Sequence, residues 1–189
     1  MEQAAEEAGV SYTWQATAWS DTEAFCWFLD EVWAPFKEKV LGSRRALLVL
    51  DRNGKVHNSE ECKRSAAKSG TLLWFGKANF SHRWQGVDWG PGKVVKDLNR
   101  AEFEDVWLAD RFNRHRYEKR KLPYPEKRLA FVRMSGAAWR KFSGPEYRTF
   151  RHQAMLRTGN LITADGSADS EIRPDGLPPC RPPPGRYRD

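Results

Sequence analysis

Ala46-Leu-Leu-Val-Leu-Asp51 and, further on, Leu72-Leu-Trp-Phe75 are the two stretches whose reading decides the fold. Each is apolar without alternation, the pattern of a strand buried on both faces, usually in a parallel sheet. Between them Glu60 to Ser69 reads as a helix closed by Gly70. Strand, helix and strand within about thirty residues is the size of a βαβ crossover, which makes the strands parallel. In open α/β sheets, functional groups gather just past the carboxyl ends of such strands. Asp51 stands there, ahead of the turn-like Arg52-Asn-Gly-Lys55. A carboxylate so placed can hold a divalent cation; the plainer reading is an Asp that caps the following turn.

Working outward, Ala24, Phe25, Phe28, Leu29, Val32, Trp33, Phe36 and Val40 recur at helical spacing. They predict an amphipathic helix from Asp21 to about Val40, opened by a capping box at Ser20 and Glu23. Pro35 predicts a kink or an early end. Val10 to Thr17 alternates aromatic and polar residues as a short strand does, and residues 1–9 read as disordered. Downstream, Gly90 to Leu108 reads as helical, and Pro123 with Pro125 argues against a single helix from Arg111 to Glu126. Leu129 to Phe142 and Glu146 to Arg157 read as helices divided by Ser143-Gly-Pro145. Residues 159–189 form a Pro-rich tail, expected to be extended or disordered, with six of the eleven prolines at or after Pro174. The expected organisation is therefore residues 1–9 disordered, one α/β domain over 10–158, and the tail.

The 189 residues carry nine Trp, ten Phe and a net charge of +7, too aromatic for a disordered polypeptide. No run approaches the ~18 apolar residues of a membrane span, and the acidic start, Met1-Glu-Gln-Ala-Ala-Glu-Glu, lacks the apolar core of a secretory signal. Cys26, Cys62 and Cys180 match neither a disulfide framework nor zinc spacing, so a reducing compartment is expected. The charge is uneven. Asp110 to Arg157 holds fourteen Lys or Arg against four Asp or Glu, interleaved with aromatics. That block fits a polyanion-binding surface as well as an ordinary solvated helical face.

Asp88, in Trp84-Gln-Gly-Val-Asp88, lies just before a predicted helix. Alone it reads as an N-cap; together with Asp51 it forms a pair able to take Mg²⁺ or Mn²⁺. His57 is near enough in sequence to support Asp51 or to contact a phosphate, although a lone loop histidine is more often simply exposed. Gly90-Pro-Gly92 lacks the length and ending of a phosphate-binding loop.

Ala18-Trp-Ser-Asp21, Leu47 to Asp51, His57-Asn-Ser59, Trp84-Gln-Gly-Val-Asp88 and Thr158 to Ser167 occur in that order. Together they resemble the pogo- and mariner-like DDE transposases, the DDE superfamily endonuclease domain, from about residue 14 to residue 184. The resemblance implies an RNase H-like fold with a divalent-metal site. It makes Asp51 similar to the second catalytic carboxylate and Asp88 to the third, with thirty-six residues between them. His57 and Gln85 become supporting residues around that pair. Arg52 stands where the family has Asn, and Gly86 where it has Pro. The acids between Val10 and Asp51 all fall in one predicted helix, so the first catalytic carboxylate has no counterpart.

The resemblance therefore implies an incomplete RNase H-like α/β fold: the C-terminal portion of a transposase, catalytically inactive and acting in the nucleus or cytoplasm. DNA is the expected partner, bound non-specifically over segment 111–128 through Arg111, Arg114, Arg116, Lys119, Arg120 and Lys121. A homodimer or a full-length transposase is a further possible partner. Two alternatives stand beside this reading: a working metal-dependent endonuclease completed by upstream sequence or another chain, and a domesticated protein-interaction module.

Overall fold

The computed structural model describes residues 6–13, 15, 20–51, 56–76, 85–161, 167 and 169–173. Thr22–Trp27 (α1) runs through a π-helical segment, Phe28–Trp33, into Ala34–Leu41 (α2). The helix neither ends nor breaks at Pro35. Proline lacks the N–H for the normal ladder and crowds the preceding turn, and the wider π-helical turn just before it accommodates both defects. Asp21, not Ser20, is the cap: its Oδ1 accepts from Ala24 N at 2.8 Å. That bond, first among several, holds the Asp21 carboxyl below its usual range.

Ala46–Leu50 (β1) and Thr71–Phe75 (β2) flank Glu60–Lys68 (α3) and pair parallel, from Ala46 opposite Thr71 to Leu50 opposite Phe75. Ser59 caps α3 by accepting from Cys62 N at 3.2 Å, and Gly70 turns the chain back with φ 66°. Side chains alternate across a strand. Leu48, Leu50 and Leu73 therefore meet Phe25, Leu29, Cys62 and Ala66 on one face. Burial on both faces, predicted from the continuous apolar runs, does not occur. Leu72 is 66% exposed and Trp74 44%, with Leu47 exposed beside them. In α1 and the π segment Phe25 and Leu29 are buried, whereas Phe28 and Val32 are half-buried. Trp33 Nε1 donates to Thr71 Oγ1 at 2.9 Å and Ser65 Oγ to Asp30 Oδ2 at 2.7 Å, so polar contacts also tie the helices to the βαβ unit.

Residues 13–85 form one compact unit, and residues 1–12 with 86–189 form a second, helical one. In the second, Pro91–Ala101 (α4) continues through a π-helical segment, Glu102–Trp107, and Arg111–Glu118 (α5) follows. Tyr124–Ser143 (α6) and Arg148–Arg157 (α7) are joined by a 3₁₀ turn, Pro145–Tyr147. Helix α6 starts five residues before the predicted Leu129, because Pro125 sits in the first turn, where a missing N–H costs nothing. Ala130, Val132, Ala138 and Phe142 of α6 are buried, as are Ala154 and Leu156 of α7. Glu102 is buried and paired with Lys141.

Residues 6–9, expected to be disordered, pack in this unit. Ala8 is buried against Val132, beside Val10 and Tyr12, and its carbonyl accepts from Arg140 Nη1 at 2.9 Å. Residues 10–13 are not a strand. Residues 1–5 and most of the Pro-rich tail, with Cys180, lie outside the described residues. Among the described residues no helix is long and apolar enough to cross a membrane.

Candidate functional site

Asp51 follows β1 directly and is exposed at its carboxyl end, the position the βαβ reading assigned to it. Arg52 to Lys55 lie outside the described residues. The chain resumes in a turn over 56–58 that leads to Ser59 and α3, and this holds His57 between the end of the strand and the start of the helix. The His57 ring lies 4.2 Å from that of Phe25 between centroids, and its Nδ1 is buried without a hydrogen-bond partner. Burial pushes the His57 pKa below its ordinary value; a hydrogen bond to the Asp51 backbone and the Asp51 charge pull the other way and lose. The structure thus sets a neutral imidazole beside Asp51, packed on the core rather than reaching into solvent.

Asp88 belongs to the other unit. It lies in the turn over 86–90 ahead of α4 and is exposed. It is not the helix cap: Gly90 holds that position, with Pro91 at the first helical residue. The turn is anchored on both sides of Asp88. Trp89 packs on Phe150 at 6.0 Å and lies under the Arg157 guanidinium at 4.8 Å. A Cβ on Gly86 would come within 2.7 Å of Met155 Sδ, so this backbone packs closely against the side chains of α7. Trp89 went unremarked in the sequence because an aromatic beside a candidate acid carries no spacing signal. Gln85 is half-buried in the first unit, and Trp84 lies outside the described residues.

A two-metal phosphoryl-transfer centre needs several acidic ligands converging within a few ångströms. Asp51 and Asp88 lie in separate units and are exposed. Among the described residues no three His, Cys, Asp or Glu side chains are grouped to hold a metal ion.

The basic segment is not a single helix, as its prolines argue. Arg111, Arg114 and Arg116 are carried on α5, while Lys119, Arg120 and Lys121 occupy the turn before α6. Arg116 is committed within the fold. Its Nη1 and Nη2 meet Glu126 Oε2 and Oε1, both at 2.7 Å, and its guanidinium sits 5.0 Å over the Phe112 ring. That fork-to-fork pairing raises the Arg116 pKa and lowers that of Glu126. Arg114 Nε donates to the Leu108 carbonyl at 2.9 Å. Arg111, Lys119, Arg120 and Lys121 are exposed, with Arg120 in the left-handed region at φ 54°. Around them Phe112, Tyr124 and Phe131 stand in solvent.

A parallel βαβ unit with an exposed carboxylate after its first strand, in a chain that also carries a helical unit rich in Lys and Arg, defines an α/β protein. The sequence profile of the DDE superfamily endonucleases matches residues 1–145, about three quarters of the chain, and the chain belongs to that family. By that membership it is a transposase-like nuclease domain, of a family whose members typically work with divalent metals on DNA. The match stops short of α7, so the resemblance at Thr158 to Ser167 lies beyond it. No curated protein and no solved structure matches the chain.

Proposed function

We propose that this chain is a catalytically silent DDE endonuclease domain that keeps a nucleic-acid-binding role through its helical unit. The observation that carries the reading is a contrast. The acids similar to the family's second and third carboxylates, Asp51 and Asp88, are not joined by a third acid into a ligand cluster among the described residues. The cations at the α5–α6 turn, by contrast, are exposed and suited to phosphate. Lys and Arg on phosphate fix position without reading sequence, so the binding is non-specific, with a dissociation constant on the order of micromolar or weaker at physiological salt. DNA is the partner this reading names and the nucleus the compartment where it would be met.

A working endonuclease completed by another chain is the second reading. One observation favours it: among the described residues the sheet has two strands, which leaves a β1 edge where a further strand could bring an acid to Asp51. Incubation of supercoiled plasmid with Mg²⁺ or Mn²⁺ separates the two. The silent reading expects no nicking. Robust nicking that is lost in Asp51→Asn and Asp88→Asn overturns it.

A further inference from the structure

We infer that the helical unit takes an unpaired nucleobase of a single strand into a groove between α5, α6 and the Glu102–Trp107 segment. This rests on the nucleic-acid reading above and specifies the form of the ligand. The groove has a volume of about 470 Å³, within the range of small-ligand sites. Phe103, Trp107, Tyr117 and Phe131 line it. The first three form a packed wall: Phe103 and Trp107 stack at 5.4 Å, and Tyr117 meets them edge-on at 5.1 and 6.2 Å. Arg100 and Lys127 line the same groove, as does Glu104. Arg100 is paired with Asp97 at 3.8 Å; Lys119, Arg120 and Lys121 lie in the adjoining turn after Glu118, so with Lys127 four cations stand against Glu104 and Glu118. Asn99 is also in the lining.

The surface continues outward along α6. Tyr124, Lys127 and Phe131 fall at positions i, i+3 and i+7, hence on one face. Tyr124 is 76% exposed and Phe131 60%, and the Lys127 ammonium sits 5.3 Å over the Tyr124 ring. Bases in a duplex stack on each other and present only their edges, so exposed ring faces gain nothing from them. A single strand offers each base face to an aromatic platform while cations follow its phosphates. Aromatic rings left in water amid surplus positive charge match that ligand, whereas an ordinary apolar protein partner would meet uncompensated cations.

The test is fluorescence anisotropy with the full chain and labelled strands of equal length, about twelve nucleotides, within the usual site range. The probes are a deoxy strand with bases, a ribo strand with bases, an abasic deoxy strand and a duplex. A base-bearing strand should bind at least about 10-fold more tightly than the abasic strand of equal charge, and the tighter of the deoxy and ribo strands identifies the source. Phe131→Ala and Tyr124→Ala, both at exposed positions that leave the core intact, should each weaken that strand by about 5- to 100-fold. Binding of abasic strand and duplex should not change. Equal affinity for base-bearing and abasic strands overturns the inference while leaving phosphate binding intact. Insensitivity to both aromatic substitutions overturns it as well. Failure of every probe to bind overturns this inference and the nucleic-acid reading together.

Discussion

Replacing Gly136 by alanine sets two opposite effects against each other. Within helix α6 a glycine costs about 1 kcal/mol relative to alanine, so the substitution should stabilise the helix by itself. But a Cβ at position 136 would run into the Ala8 carbonyl oxygen and lie 2.7 Å from the Ala8 Cβ. Backbone, not the tip of a flexible side chain, stands in the way, and it must retreat by about 1 Å to reach ordinary contact. That retreat breaks the bond from Arg140 Nη1 to the Ala8 carbonyl and opens the cluster of Ala8 and Val132 with Val10 and Tyr12. Overpacking of this kind costs about 1–3 kcal/mol, and a partly exposed charged hydrogen bond adds about 1 kcal/mol more. After the helix gain, Gly136→Ala should destabilise the chain by about 1–3 kcal/mol. In a chain lacking residues 1–12 the obstacle is gone, and the same substitution should stabilise by about 1 kcal/mol. Urea denaturation of the four chains measures both signs, and hydrogen exchange should show residues 6–12 losing protection only in the full-length variant. A substitution effect of the same sign and size with and without residues 1–12 would refute the packing of Ala8 on α6.

Further outcomes follow from the other contacts. Neutralising Lys119, Arg120 and Lys121 together should flatten the dependence of log affinity on log salt for duplex DNA by up to about 2.7, at about 0.9 per phosphate contact. Arg116→Gln alone should leave that slope unchanged, because Glu126 already neutralises the guanidinium; a drop equal to that of its neighbours would contradict the pairing. His57 has a pKa lowered by burial from 6.5, so the unfolded chain binds its proton more readily than the folded one. Its stability contribution is complete above pH 6.5 and declines as pH falls toward the lower folded value. The difference in denaturation midpoint between parent and His57→Gln should therefore shrink on acidification below pH 6.5, and a constant difference would count against the buried neutral ring. Asp21→Ala removes the cap on α1 and should cost about 1 kcal/mol, measured by thermal or urea unfolding.

The βαβ unit, the helix boundaries at Glu60, Gly70 and Gly144, and the position of Asp51 after β1 are legible in the chain because they depend on local pattern. Apolar runs, caps and turn residues act over a few neighbours, and the resulting elements lie where those signals put them. Asp51 and Asp88 were equally legible as residue types, but spacing along the chain says nothing about whether two units bring them together. Arg116 shows the same divide. In sequence it is one of six similar cations, and the bidentate partner that separates it from the rest, Glu126, lies ten residues away on another helix.

By itself, then, the sequence determined the parallel strand pair, the helical basic half and the family to which the chain belongs. Tertiary structure decided which surfaces remain open. Leu72 and Trp74 read as core from their apolar neighbours, yet they face solvent because among the described residues no layer covers that side of the two-stranded sheet. Ala8, in an acidic start that reads as disordered, is buried because Gly136, far along the chain, leaves room for its backbone. Burial is a property of what another segment brings to a surface, and no local pattern encodes that.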